Sequence, residues 1–410
     1  MTNAYDILLE RGFVEQVSDE ARLRQLLGET RVTCYVGYDP TASSLHVGNL
    51  LSIMMLGHLQ RAGHRPIVLL GGGTAMIGDP SGKTEMRQML TREQIVANGR
   101  RIQQQFSRVL DFSAGGALLI DNADWLLELN YITFLREIGR HFSVNRMLAA
   151  EAYKIRLETG LSFLEFNYQL LQAYDFLMLY RRHGCRLQMG GNDQWGNILA
   201  GVELIRRVEN QEAFALTAPL LTTASGQKMG KTAAGAVWLD AELMPPYDFY
   251  QYWINVDDRD VVRLLQLYTF LPLGEINRFR TLQGAELREA KALLAFEVTK
   301  LIHGEEAARQ ARDAARALFA EGGDGTGAPQ VVMKSAIFKE GIGIVDLFHA
   351  AGLAHSKSEA RRLIQQGGAY VNRRRIESIE ERVGLSDFEK GELLLRAGKK
   401  RYQRVVIETE

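Results

Sequence analysis

The first two hundred or so residues alternate strand-like and helix-like stretches, and this rhythm constrains the fold more than any other feature of the chain. "RVTCYVGYDP" and "HRPIVLLGGG" read as buried strands, and "LHVGNLLSIMMLGHLQRAG" between them reads as an amphipathic helix stopped by Gly63. A further strand, "ALLIDN", precedes helix-like "DWLLELNYITFLREIG". The long apolar helix "SFLEFNYQLLQAYDFLMLYRRHG" then leads into the strand "CRLQMG" and the helix "WGNILAGVELIRRV". Strand, helix and strand in this order imply a parallel, doubly wound, Rossmann-like α/β sheet. Ligands bind such sheets at the carboxyl ends of the strands, where the least ordinary sequences of this chain lie.

A chain of 410 residues is long for one core and implies two or three domains. From about residue 245 the pattern turns helical, and "EGGDGTGAP" at 321–329, with four glycines and a proline, breaks it. The expected partition is a Rossmann-like catalytic domain over 1–225, a lysine-bearing loop and helical domain over 226–320, a Gly-rich linker over 321–340 and a small α+β unit over 341–410. That last segment holds 13 Lys/Arg against 10 Asp/Glu in a chain whose formal net charge is zero. The overall neutrality excludes a surface built wholly to coat nucleic acid, yet Lys357, Arg361, Arg362, Arg373, Arg374 and Arg375 cluster around two turns of the small unit. The start "MTNAYDILLERGF" has no signal-peptide pattern, and no apolar run approaches the roughly 18 residues of a membrane span. A cytoplasmic protein with no membrane partner is the expectation. Cys34 and Cys185 are too few for a disulfide framework or a zinc site and read as reduced packing residues.

"AMIGDPSGKT" at 75–84 invites comparison with a phosphate-binding loop, but the first glycine of G-x-x-x-x-G-K-[ST] falls on Ile77, and Asp79 would place a carboxylate in the anion nest. Two other stretches are better suited to phosphate. "DPTASSLHVGN" enters a helix whose first turn holds His46, Gly48 and Asn49, and a helix start offers free N–H groups and a positive dipole. "TASGQKMGKT" sets Lys228 and Lys231 three apart, with Thr232 beside them, in a loop able to fold over a triphosphate. Alone, the first equally reads as a plain helix entry, and the second as a solvated basic loop. Both occur in order in one parallel α/β chain.

Together they resemble the signatures of class I aminoacyl-tRNA synthetases, H-V-G-N standing for "HIGH" and K-M-G-K-T for "KMSKS". Asn49 replaces the second histidine and retains an amide donor, while Gly230 replaces a serine, removing a hydroxyl and loosening the loop. Tyr168, Gln172 and Asp175 fall at i, i+4 and i+7 of one helix and share a face, where polar groups cost free energy unless a ligand or partner satisfies them. With Asp79, the first two would take an ammonium group, and Lys83 and Arg87 follow on a loop in reach of pyrophosphate. Asp175 would share a phenol hydroxyl with Tyr35. Y-x-G-x-D-P-T, G-D-P-S-G-K, Y-x-x-x-Q-x-x-D and G-G-x-D-Q-W-G-N match the bacterial type of tyrosyl-tRNA synthetase in order along essentially the whole chain.

The resemblance implies that Gly37, Asp39, Thr41, His46, Gly48, Gly191, Asp193 and Lys231 bind ATP, with Asp193 on the ribose, and that Gln194 lies near the tyrosine carboxylate. Val36 lacks the side-chain ribose contact that a cysteine gives in some relatives. The small unit resembles an RNA-binding domain first described in a ribosomal protein, with Lys357, Arg361, Arg362, Arg373 and Arg374 on tRNA phosphates. The implied reaction joins L-tyrosine and ATP to tyrosyl-adenylate, with Mg2+ accompanying the nucleotide and no dedicated protein metal site, then passes tyrosine to tRNA. A homodimer is expected because the apolar helices around 131–165 exceed the needs of one core. The alternatives are a tryptophanyl-type synthetase, a nucleotidylyltransferase of the same fold and a non-catalytic RNA-binding module.

Overall fold

The structure is a computed structural model that describes residues 3–81, 90–148, 153, 157–158, 160–224, 226, 229–232, 235–319, 330–354, 356–372, 374–389, 391–398 and 401–408. The chain forms two compact units, Met1–Gly304 and Glu305–Glu410.

The first unit is built on a six-stranded sheet of β1 (Gln16–Val17), β2 (Thr33–Tyr38), β3 (Arg65–Leu70), β4 (Leu118–Asp121), β5 (Cys185–Gly191) and β6 (Phe214–Ala218). The strands lie in the order β1-β6-β5-β2-β3-β4. All pairings are parallel except that of the edge strand β1 with β6. The chain runs outward from β2 through β3 to β4, then returns to lay β5 and β6 on the other side of β2. The switch point therefore lies between β2 and β5, and their carboxyl ends open a crevice there. β1 and β6 are absent from the sequence-based expectation; two residues, in the case of β1, are too few to show any period. A separate hairpin pairs β7 (Lys231–Thr232) with β8 (Gly235–Ala236).

The helix Val47–Arg61 departs from the amphipathic expectation. Ile53, Met54, Met55 and Leu56 are all buried in succession, because the helix packs against β2 and β3 on one side and against the helices Ala4–Arg11 and Val261–Tyr268 on the other. A helix covered all round has no polar face to display. "DWLLELNYITFLREIG" forms two helices, Ala123–Leu126 and Tyr131–Glu137, since the Asn130 side chain accepts from the Thr133 N–H and starts a new one. The expected single helix from Ser162 likewise divides at Asn167 into Phe163–Phe166 and Tyr168–His183.

The helices Pro246–Ile254, Val261–Tyr268 and Leu287–His303 pack together within the same unit as the sheet, where a separate domain from 226 was expected. Tyr268 donates from its buried hydroxyl to the Val47 carbonyl at 3.1 Å, so the helical part grips the helix that starts at the crevice.

The second unit begins earlier than the expected residue 341. Its five-stranded sheet is formed by β9 (Gln330–Lys334), β11 (Ala369–Val371), β12 (Arg374–Arg375), β14 (Glu392–Ala397) and β15 (Arg401–Glu408), in the order β12-β11-β14-β15-β9. β9 pairs in parallel with β15 and the rest are antiparallel. A small antiparallel pair, β10 (Ile342–Gly343) with β13 (Arg382–Val383), lies beside it in the same unit. Helices Ile344–Ala350 and Lys357–Gln365 cover one face of the larger sheet, where Leu347, Phe348 and Ile364 form a core with Leu393, Leu395 and Val405. Strict alternation on β14, with Leu393, Leu395 and Ala397 buried, leaves the other face open.

Candidate active site

A cavity of about 670 Å³ opens at the carboxyl ends of β2 and β5. Its lining includes Tyr35, Asp79, Tyr168, Gln172, Asp175 and Gln194 from the expected amino-acid site. It also includes Gly37, Asp39, Thr41, His46, Gly48, Asn49, Gly191 and Asp193 from the expected nucleotide site. Residues distributed over 160 positions of sequence thus share one space, as a switch point requires.

At the floor, Asp175 is 2% exposed. Its two carboxylate oxygens accept from Asn122 Nδ2 at 2.9 Å and Trp125 Nε1 at 2.8 Å. Burial pushes its carboxyl up to about 8, opposed by these two donors and reinforced by the charges of Asp39 and Asp121. Tyr35, expected to share a phenol hydroxyl with Asp175, is 1% exposed, its ring packs against Phe176, and its hydroxyl has no partner among the described residues. Burial and the nearby Asp175 charge push the Tyr35 phenol well above its ordinary value, so it is a donor without an acceptor. Sequence reasoning misses Asn122 and Trp125 because they follow β4, far from the helix that carries Asp175. The signal available was only a polar Asp-Asn pair at a strand end.

Asp79 lies in the crevice wall. One of its oxygens accepts from the Ser81 N–H at 2.9 Å and the other from Gln194 Nε2 at 2.7 Å. Gln194 in turn accepts from Asn197 Nδ2 at 3.2 Å, so it braces Asp79 while lining the cavity. Tyr168 donates to Asp39 Oδ2 at 2.9 Å, and Asp39 Oδ1 accepts from Thr74 Oγ1 at 2.7 Å. Tyr168 and Asp39 both line the cavity. The buried Gln172 Oε1 has no partner among the described residues. The Asp79 carboxylate and the unpartnered Gln172 oxygen are acceptors of the kind an ammonium group would take, and Tyr168 lines the same cavity. Asn122 Nδ2 also meets Thr74 Oγ1 at 3.0 Å, linking the floor to this second cluster.

On the nucleotide side, His46 is the N-cap of Val47–Arg61. Its Nδ1 accepts from the Asn49 N–H at 3.3 Å, and Asn49 Oδ1 accepts from the His46 N–H at 3.1 Å, a reciprocal capping box. A Cβ on Gly48 would lie 2.8 Å from His46 Cε1, so glycine there makes room for the folded imidazole as well as for a ligand. A Cβ on Gly191 would lie 2.6 Å from Asp193 Oδ1, while one on Gly37 would meet nothing within 4 Å. Gly37 thus leaves the end of β2 open to an incoming group.

The lysine loop is stitched to this helix start. Val47 N–H donates to the Val237 carbonyl at 2.9 Å, Val237 N–H to Gly230 at 2.9 Å and Leu239 N–H to Leu45 at 2.9 Å. The expectation that Gly230 loosens the loop is corrected. Gly230 has φ +81°, and a Cβ there would lie 3.2 Å from the Gly48 nitrogen, so glycine permits a tight left-handed turn against the helix start. Lys231 and Thr232 form β7 against β8, with their side chains outside the described residues. Lys83, Arg87 and Lys228 lie outside the described residues, as does Arg373 in the second unit. There, Arg361 and Arg362 are exposed, whereas Lys357 pairs with Asp346 at 2.7 Å and Arg374 with Glu381 at 2.7 Å. Among the described residues no group of three or more His, Cys, Asp or Glu side chains could hold a metal ion.

The chain matches the family model for class I tRNA synthetases (W and Y) over residues 28–320, and that for the tyrosine–tRNA ligase SYY-like C-terminal domain over 325–405. It is 58% identical to a tyrosine–tRNA ligase of Desulfosudis oleivorans, covering 98% of each chain. It is 54% identical to a tyrosine–tRNA ligase of Clostridium kluyveri, over 99% of this chain and 100% of that one. Among solved structures, a C-terminally truncated mitochondrial tyrosyl-tRNA synthetase of Aspergillus nidulans superposes with a TM-score of 0.71 at 31% identity, covering 78% of this chain and 95% of that one. The chain, matched by these models and by these ligases over nearly its whole length, belongs to the class I tRNA synthetase family, in its tyrosine–tRNA ligase branch.

Proposed function

We propose that this protein activates L-tyrosine with ATP to tyrosyl-adenylate, releasing pyrophosphate, and transfers the tyrosine to the 3′-terminal ribose of tRNA(Tyr). The observation that carries the amino-acid assignment is the buried Tyr35 hydroxyl without a partner beside Asp175. A phenol hydroxyl both accepts and donates: it accepts from Tyr35 and donates to Asp175. An indole N–H only donates and would leave Tyr35 unsatisfied, which argues against tryptophan. A nucleotidylyltransferase would leave the C-terminal unit without a role, and a non-catalytic module would leave the furnished cavity without one.

The tyrosine ammonium group binds Asp79, Gln172 and Tyr168. Its carboxylate is ionised at neutral pH and attacks the α-phosphate without a general base. Alignment dominates: Asp193 orients the ribose at the end of β5, while His46 and the capped helix start receive phosphate oxygens. Lys228, Lys231 and Thr232, with Lys83 and Arg87, neutralise the charge that grows on departing pyrophosphate. Mg2+ arrives with the triphosphate as part of the substrate. Pyrophosphate exchange with all twenty amino acids tests the reading; exchange strongest with any amino acid other than tyrosine rejects it.

The finer partners belong to the same proposal. A homodimer is supported by a concentration of exposed apolar side chains between residues 127 and 163, among them Tyr131 at 55%, Ile132 at 69% and Phe163 at 69% exposure. A cytoplasmic location fits the reaction, and no helix among the described residues is long and apolar enough to cross a membrane. Lys357, Arg361, Arg362, Arg373 and Arg374 are assigned to tRNA phosphates.

A further inference from the structure

The open face of the C-terminal sheet carries a row of alternating cations and phenol rings. Backbone register places Arg375 opposite Tyr370, Tyr370 opposite Arg396, and Arg396 opposite Tyr402, across β12, β11, β14 and β15. Cross-strand partners share a face, so the four side chains stand in line. The Arg396 guanidinium lies 3.6 Å from the Tyr370 ring centroid and 6.0 Å from that of Tyr402. Arg404 stands in the neighbouring row, opposite Leu394, and donates to Gln330 Oε1 at 3.1 Å.

Three observations separate this row from an ordinary sheet surface. Lys357, Arg374, Arg401 and Arg404 each have an acidic partner, but neither Arg375 nor Arg396 has one among the described residues. The backbone is shaped around the row: Gly367 has φ +69°, and a Cβ there would lie 1.6 Å from Arg375 Nη2. Finally, the inner-face residues Leu393, Leu395 and Val405 are covered by the two helices, while Tyr370, Arg396 and Tyr402 on the outer face remain partly exposed. Arg361 and Arg362, on the outer side of a covering helix, therefore lie across the sheet from the row.

We propose that this row is a second RNA contact of the C-terminal unit, on the opposite side of the sheet from Arg361 and Arg362. An unpaired tRNA base stacks on Tyr370 or Tyr402, and Arg375 and Arg396 take the adjoining phosphates. Phenol and guanidinium planes both accept a base face without regard to sequence, and the uncompensated charges suit a polyanion. The inference rests on the tRNA-charging function proposed above.

The test measures tRNA(Tyr) binding to the full chain across a salt series, together with pyrophosphate exchange and thermal melting. Arg396→Gln and Tyr370→Leu should each weaken binding about tenfold while exchange stays unchanged. Arg396→Gln should also reduce the salt slope by about 0.7 to 0.9. Tyr370→Phe, which keeps the ring, should bind as the parent does, and Arg396→Lys should keep the slope while losing affinity. Folded Arg396→Gln and Tyr370→Leu proteins with parental affinity and slope overturn the sheet-face contact. If either variant melts early, the conservative pair decides: Tyr370→Phe binding more weakly than the parent overturns the ring-stacking role, and Arg396→Lys with a reduced salt slope overturns the assignment of that charge to a phosphate. The Arg361→Gln/Arg362→Gln double variant separates the two levels. Binding lost there but intact in the sheet variants overturns the row alone, whereas a parent that binds no tRNA overturns the functional reading with it.

Discussion

Asp175 is held by two N–H donors from beyond β4, and in the function proposed above the floor it forms with Tyr35 separates hydroxylated from plain aromatic ligands. A phenylalanine ring would fill the same space and leave the Tyr35 hydroxyl orphaned, at about 1–3 kcal/mol for one buried group. Tyr35→Phe removes that penalty and should narrow the tyrosine-over-phenylalanine ratio of kcat/KM by roughly 5- to 150-fold. Asp175→Asn should do the same, and competition assays with both amino acids read the change. Parental discrimination in both variants would show that the floor lies elsewhere. The carboxyl also predicts a pH dependence of the unliganded protein. Its value rises to about 8 on folding, chiefly through burial, against an unfolded value near ~3.9. Between those limits the native state binds the proton that the unfolded chain has released, so this group's contribution is most favourable below about pH 4 and is lost as pH rises towards about 8. The slope is at most ~1.4 kcal/mol per pH unit. Calorimetric melting at pH 5 and pH 8 should show a larger fall for the parent than for Asp175→Asn; equal falls would place the carboxyl in a solvated setting.

The short elements explain both how much of the site was legible in the sequence and where reading stopped. Tyr168, Gln172 and Asp175 were legible because helical spacing fixes which residues share a face, and the sheet was legible because strands buried on both faces appear as apolar runs. His46 and Gly48 were legible because capping is local. Asn122 and Trp125 were not, since only packing between β4 and the Tyr168–His183 helix brings them to Asp175. The same holds for β1, whose Gln16 Nε2 donates to Asn192 Oδ1 at 2.5 Å while Thr217 Oγ1 donates to the same oxygen at 3.1 Å. Asn192 opens the turn that presents Asp193, so a bond spanning 176 residues of sequence lets this edge strand position the residue proposed to hold the ribose. Gln16→Leu should raise the KM for ATP several-fold and leave that for tyrosine unchanged, and parallel rises in both would mark a general loss of packing. At the lysine loop, Gly230→Ala forces a Cβ into a left-handed turn at a cost of about 1–2 kcal/mol, beside the Gly48 nitrogen. Single-turnover adenylate formation should slow by about tenfold, which ~1.4 kcal/mol corresponds to, with little change in tyrosine affinity. An unaffected rate would mean that the reacting loop adopts another turn.

At the scale of the whole molecule, every residue lining the cavity belongs to the unit Met1–Gly304, and the second unit carries its own core of Leu347, Phe348, Ile364, Leu393, Leu395 and Val405. A unit with its own core can be removed without exposing the core of the other. Cutting at 330 takes away β9 with the rest of its sheet, whereas a cut at the expected boundary of 341 would leave β9 without its partner β15. Deletion of 330–410 should therefore leave a folded protein that forms tyrosyl-adenylate at close to the parental rate. The deleted segment carries Arg361, Arg362, Arg375 and Arg396, so tRNA binding should weaken. Its dependence on salt should flatten by about 0.7 to 0.9 for each phosphate that is no longer neutralised. Charging at limiting tRNA should fall with that affinity, and saturating tRNA should restore much of it, because the reacting groups are intact. Adenylate formation, tRNA affinity over a salt series and charging at two tRNA concentrations together decide the matter. Unchanged affinity and slope would remove the second unit from tRNA recognition. Loss of adenylate formation in a folded fragment would show instead that the second unit supports the chemistry of the first.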